Sequence, residues 1–213
     1  MKNYNFNGFE GIKGIIFDFD DTLYTQTNKE EHYINFTIKT LCEIMQIDRD
    51  EAIKILDGFN YFDIAKRPRL NTVMKSLGDD IEDKYNEYRV DNFYMPDLET
   101  VQTVSNVDIM RLKSKYKIFL VTGEFAGNVQ KKADAMGIDL GFFDCVRAGV
   151  VGEKKEKIVI YDEIMKEFGL APSEVIAIGD RYVVDIEPLI KLGGGGIHIV
   201  DTNEVTEVIN SAL

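Results

Sequence analysis

Three short apolar runs, Ile15-Ile16-Phe17, Ile118-Phe119-Leu120-Val121 and Val175-Ile176-Ala177-Ile178, each stop at a polar boundary: Asp18, Thr122 and Gly179-Asp180. Runs this short without polar alternation read as strands covered on both faces, the situation of a parallel sheet whose crossover helices lie on either side. Stretches 127–136, 158–168 and 185–192 carry apolar residues at helical intervals, and 197–200 is a weaker fourth strand. The order βαβα predicts an α/β fold with a mostly parallel sheet. Open sheets of this kind bind ligands beyond the carboxyl ends of their strands, so Asp18, Thr122 and Asp180 are expected to converge on one crevice.

Residues 25–96 break this rhythm: Ile34, Ile38, Leu41 and Met45 recur at helical spacing and no strand pattern is evident. Pro68 can open a helix, Gly78 can close it, and 58–63 is an aromatic-rich break. A chain of 213 residues exceeds the usual domain of roughly 100–150 residues but is short for two. The expected organisation is therefore a core from 1–24 and 97–213 interrupted by a helical insertion at 25–96. The run Gly193-Gly194-Gly195-Gly196 reads as a helix C-cap and turn rather than a phosphate cradle, because no helix starts after it.

Composition narrows the function. With 45% hydrophobic and 29% charged residues the chain can build a core, and its net charge of −12 argues against nucleic-acid or anionic-membrane partners. No apolar run approaches the ~20 residues of a membrane span, and the first seven residues lack a basic stretch followed by an apolar one, so a cytoplasmic location is expected. Cys42 and Cys145 fit no metal or disulfide spacing, and His32 and His198 are isolated, which gives zinc no ligand set.

The chemistry concentrates at strand ends. In Asp18-Phe19-Asp20-Asp21-Thr22, residues i and i+2 begin on one face of the strand. One carboxylate can attack while the other handles a proton. Thr122 follows the second strand, Lys154, Lys155 and Lys157 cluster before a helix, and Gly179-Asp180-Arg181-Tyr182-Val183-Val184-Asp185 follows the third strand. Taken together, carboxylates, hydroxyl, ammonium and carboxylates again, in that order over nearly the whole chain, resemble the haloacid dehalogenase superfamily.

The resemblance implies a Rossmann-like core with a helical cap inserted between the first two motifs, closing over the crevice to exclude water and select substrates. It implies that Asp18 is the nucleophile of an aspartyl-phosphate intermediate and Asp20 the general acid and base. Thr122, Gly123 and one lysine would bind the substrate phosphate. Asp18, Asp180 and the backbone carbonyl of Asp20 would hold Mg2+, with Asp185 supporting the metal or orienting the lysine. Two like charges ~4 Å apart repel by about 4 kcal/mol at an effective dielectric of 20, so a phosphate dianion needs cations to enter a cluster of carboxylates. Counting without gaps from Gly169-Leu170-Ala171-Pro172 and Gly179-Asp180 places the motif lysine at Lys155; Glu156 and Ile158 stand where family members carry prolines, which leaves Lys154 and Lys157 open. Gly123 and Val184 stand where asparagine is common in the family.

The carboxylate at Asp20 favours phosphate-ester hydrolysis over dehalogenation, since a departing halide needs no proton. The expected activity is hydrolysis of a small phosphorylated metabolite. The alternatives are a phosphomutase-type phosphotransferase and a non-catalytic module that binds a phosphorylated ligand or a partner. Tyr24, Gln26, Phe59, Asn60, Tyr61, Arg67 and Arg69 are candidates for touching the leaving group, Tyr61 and Arg67 foremost, although aromatic residues in a helical cap more often form its own core. Oligomeric state is not legible.

Overall fold

A computed structural model describes residues 1–26, 29–63, 66–68, 70–92, 100–149 and 155–213. In chain order its elements are β1 (Lys2–Tyr4), β2 (Gly14–Phe17), β3 (Tyr24–Gln26), α1 (Lys29–Met45), α2 (Arg49–Gly58), α3 (Leu70–Leu77), α4 (Asp79–Asn92), β4 (Thr100–Gln102) and α5 (Asn106–Lys113). There follow β5 (Lys117–Phe125), α6 (Ala126–Met136), β6 (Cys145–Gly149), α7 (Lys157–Phe168), β7 (Val175–Gly179), α8 (Glu187–Leu192), β8 (Gly195–His198) and α9 (Asn203–Ala212). Among the described residues no helix is long and apolar enough to cross a membrane.

The chain divides into two compact units, Met1–Thr27 with Glu99–Leu213, and Asn28–Leu98. The first carries a six-stranded sheet in the order β1-β8-β7-β2-β5-β6, parallel except for the edge strand β1. The three apolar runs are its centre: Phe17 pairs with Leu120 on one side and Ile178 on the other. Alternate residues along these strands enter different cores. Ile15, Phe17, Ile118, Leu120, Ile176 and Ile178 pack on one face with α5, α6 and α9 through Ile109, Leu112, Val129, Ala133 and Val208. Ile16, Phe119, Val121, Val175 and Ala177 pack on the other with α7 and α8 through Tyr161, Ile164 and Leu189. Burial on both faces is why these strands read as unbroken apolar runs.

The remaining strands depart from expectation. β8 starts earlier than the 197–200 expected, taking in two glycines of the run. A Cβ on Gly196 would stand 2.4 Å from Ile186 Cγ2, so only glycine lets the strand and the turn before α8 approach this closely. β1 and β6, at the two edges, escaped the sequence pattern, as did β3 and β4, which form a separate antiparallel pair.

The second unit is helical, with Ile38, Leu41, Ala52, Leu56, Tyr61, Val73, Met74 and Tyr85 as its core. Asp48 caps α2 by accepting from the Glu51 amide, and α3 ends at Gly78, whose φ of +142° admits glycine alone without strain.

Candidate active site

Because β2 is central and its neighbours are in register, Asp18 leaves the sheet between the ends of β5 and β7, and its amide still donates to Ile178 O at 2.9 Å. Its side chain is only 2% exposed. Oδ1 accepts a hydrogen bond from Lys157 Nζ at 2.6 Å, whereas Oδ2 is buried without a hydrogen-bond partner among the described residues. Asp180, at the end of β7, likewise keeps a buried Oδ1 that accepts no hydrogen bond among the described residues, with Arg181 Nε 3.9 Å away. Asp185 lies in a π-helical turn (Tyr182–Ile186), where its Oδ1 accepts from Lys157 Nζ at 2.7 Å and its Oδ2 from the Arg181 amide at 2.8 Å. One oxygen from each of Asp18, Asp180 and Asp185 falls within 4.8 Å of the others. Gly179 permits this closeness, since a Cβ there would stand 2.5 Å from Asp185 Cβ.

Electrostatics follow from this crowding. Burial, opposed by Lys157 and reinforced by the charge on Asp185, pushes Asp18 from an ordinary 3.8 up to about 7. Burial and then Asp185 push Asp180 up to about 6. Burial opposes the charge on Lys157, but the carboxylates of Asp18 and Asp185 prevail and hold it above the usual lysine range. Two buried carboxylate oxygens that accept no hydrogen bond among the described residues, beside a third carboxylate, call for more positive charge than Lys157 and the distant Arg181 guanidinium supply. Hard oxygen donors in this number suit Mg2+, which is commonly held by one or two carboxylates with water and phosphate completing the shell.

Lys157, not Lys155, is the ammonium at the strand ends. Lys157 opens α7 in phase with Tyr161 and Ile164, the residues that face the sheet, whereas Lys155 precedes the helix and pairs with Glu163 at 2.6 Å on its exposed side. The ungapped count to Lys155 is therefore two residues short: helical phase decides which lysine turns inward. Lys154 and Arg69 lie outside the described residues.

Thr122, 4% exposed, ends the apolar part of β5; its Oγ1 accepts from the Glu124 amide at 3.1 Å, and its hydroxyl hydrogen has no acceptor among the described residues. Gly123 is exposed, and a Cβ there would meet nothing within 4 Å, so backbone access rather than crowding distinguishes it. Asp20 is half-buried, and its Oδ1 accepts from the Tyr24 hydroxyl and from Lys132 Nζ, the latter at 2.6 Å. Lys132 also donates to Glu124 Oε2 at 2.9 Å. Sequence reasoning missed Glu124 and Lys132. The available signal was a lysine one turn from Val129 and Met136, in the inward stripe of the helix, one turn after Asn128.

Tyr61 and Arg67, expected at the leaving group, are engaged within the helical unit. Tyr61 is 5% exposed in its core, and Arg67 lies 5.2 Å from the Tyr61 ring centre, donates to Tyr61 O at 2.6 Å and pairs with Glu30 at 2.6 Å. His198, isolated in the sequence, is brought 2.8 Å from Asp180 O, while both cysteines are free.

The chain is 28% identical over 192 residues to a protein named glyceraldehyde 3-phosphate phosphatase from Methanocaldococcus jannaschii, covering 85% of this chain and 82% of that one. Its fold is similar to that of an HAD phosphatase from Thermococcus onnurineus, with a TM-score of 0.61 at 18% identity over 94% of this chain and 99% of that chain. A haloacid dehalogenase-like protein from Streptococcus pneumoniae also matches, with a TM-score of 0.61 at 20% identity over 94% and 91% of the two chains. The family model for haloacid dehalogenase-like hydrolases matches residues 12–193, a span that holds Asp18, Asp20, Thr122, Lys157, Asp180 and Asp185, and the chain belongs to that family.

Proposed function

We propose that this phosphatase of the haloacid dehalogenase-like family hydrolyses a small phosphomonoester through a phosphoryl-enzyme intermediate on Asp18, with Mg2+ held by Asp18, Asp180 and the backbone carbonyl of Asp20. The observation that carries the reading is the state of Asp18: buried at the end of the central strand, held on one oxygen by Lys157 and left without a donor on the other. A carboxylate oxygen of Asp18 bonds to phosphorus as the bond from phosphorus to the leaving alcohol breaks, and Asp20 gives its proton to that alcohol. Asp20 then takes a proton from the water that attacks phosphorus, which returns Asp18 and releases phosphate. Held by Asp18, Asp180 and the Asp20 carbonyl, the ion would supply positive charge against the phosphoryl oxygens. Lys157 supplies a second cation, Thr122 donates its hydroxyl and Gly123 its amide to those oxygens, and Asp185 orients Lys157 through their 2.7 Å hydrogen bond.

Relatives named for glyceraldehyde 3-phosphate make three-carbon phosphates the first substrates to test, and we assign the choice among them to the helical unit. The assay is phosphate release from a panel of phosphorylated metabolites and p-nitrophenyl phosphate, with Mg2+ and with chelator. Wild type turns over one or more of these with the ion alone, and Asp18→Asn is folded and inactive. Equal turnover by the two proteins refutes the covalent route; no turnover by wild type across the panel favours a binding module.

A further inference from the structure

A fully buried ammonium is costly, and α6 carries one where its neighbours on the same face are Asn128, which donates to Glu124 Oε1 at 3.3 Å, and the apolar Val129, Ala133 and Met136. The Lys132 side chain is 0% exposed, whereas that of its partner Asp20 is 34% exposed. An ion triad of this kind confers no more stability than apolar side chains of similar volume, so folding alone gives no reason for Lys132. Its geometry gives another. Lys132 Nζ, anchored by Glu124 Oε2 at 2.9 Å, and the Tyr24 hydroxyl both donate to one oxygen of Asp20, Oδ1. Among the described residues no hydrogen bond reaches Asp20 Oδ2. An oxygen that already accepts from an ammonium and a phenol is a poor site for a proton, which leaves Oδ2 to carry it. Rotation of the carboxyl group would exchange the two oxygens, and the two donors oppose that rotation. Glu124 belongs to β5 and Lys132 to α6, which follows it directly, so the clamp is built on the same strand end as Thr122.

We propose that Lys132, held by Glu124, is a positioning residue that presents Asp20 Oδ2 for proton transfer to the leaving oxygen. This rests on the reading of Asp20 as the general acid and base. The proton moves from Asp20 Oδ2 to the leaving oxygen while the bond from that oxygen to phosphorus breaks; Lys132 keeps its own protons throughout. The need for such a proton rises with the basicity of the leaving alcohol, a dependence that a merely structural residue would not alter.

The experiment measures kcat/KM, which reports the step in which the leaving group departs, across phosphomonoesters from p-nitrophenyl to simple alkyl phosphates. Asp20→Asn should lose about 10²–10⁴ on alkyl substrates and far less on p-nitrophenyl phosphate. Lys132→Met should show the same trend in milder form, losing about tenfold or more on alkyl phosphates and no more than about threefold on the activated ester. Tyr24→Phe should tilt the series in the same direction. Glu124→Gln, which keeps the ammonium but loosens its anchor, carries the test if Lys132→Met does not fold. A common loss across the series in the Lys132 or Glu124 variant, with a steep series for Asp20→Asn, overturns the positioning role and leaves the reading of Asp20 intact. A flat series for Asp20→Asn overturns both.

Discussion

In its metal-free form this protein should become less stable as the pH rises, the reverse of an ordinary salt-bridged carboxylate. Burial holds Asp18 at about 7 against an ordinary 3.8, so ionising it in the metal-free folded chain costs about 4 kcal/mol more than in the unfolded chain. The sign follows from proton binding. The folded state takes up the Asp18 proton more tightly, so its contribution is complete below pH 3.8 and is lost as pH rises to and through 7. The part lost between pH 5 and pH 8 spans about two pH units, or about 3 kcal/mol. Asp180, raised to about 6 by burial and then by the charge on Asp185, acts in the same direction. At roughly 2–4 °C per kcal/mol for a chain of this length, Tm in chelator should fall by about 6–12 °C over that range. Lys157, held above its usual range, stays charged throughout and contributes no slope. The assay is thermal unfolding at pH 5, 6, 7 and 8, with chelator and with Mg2+. At the proposed site Mg2+ would bind the ionised carboxylates, so it should reverse most of the fall, raising Tm more at pH 8 than at pH 5. Asp18→Asn removes the titrating group and should flatten the chelator curve. A fall of equal size in Asp18→Asn refutes the assignment of the penalty to Asp18, and a metal-free protein equally stable at pH 5 and pH 8 refutes the electrostatic account altogether.

Lys157→Met should cost on the order of 10²–10³ in kcat while Lys155→Ala costs little, checked by steady-state phosphate release. Gly179→Ala should destabilise the protein by about 1–3 kcal/mol in thermal melts and lower turnover, because the new methyl must displace Asp185. Arg67→Ala should remove about 1 kcal/mol from the helical unit in a denaturant titration and change kcat/KM for all panel substrates by one factor; a change in their ranking would place Arg67 at the substrate instead.

Legibility in the sequence tracked how local each determinant is. β2, β5 and β7 were visible because strands buried on both faces leave an unbroken apolar run, and the helix of α7 was visible by its period. The change from short apolar runs to helical spacing that set the expected boundaries at 24 and 97 is likewise written in neighbouring residues. β8 was misplaced because two of its residues are glycines, which carry no strand signal; Gly196 admits the close approach of Ile186 and Gly195 that of Asn5 O. The edge strands β1 and β6 carry mixed burial and so no clean pattern.

The sequence alone determined that carboxylates and a threonine close the central strands, because each stands just beyond an apolar run that has to be buried. Which charges meet was decided only by tertiary structure. Lys157 reaches Asp18 across 139 positions of chain, and Lys132 reaches Asp20 across 112. Both pairings depend on helix phase and on which face of the sheet each helix covers: α7 lies on one and α6 on the other. A run of lysines looks alike in sequence whichever member turns inward, and a lysine in an apolar stripe looks like a flaw until the fold brings a carboxylate to it. Hydrophobic period is written in neighbouring residues, whereas charge pairing is a property of the packed sheet.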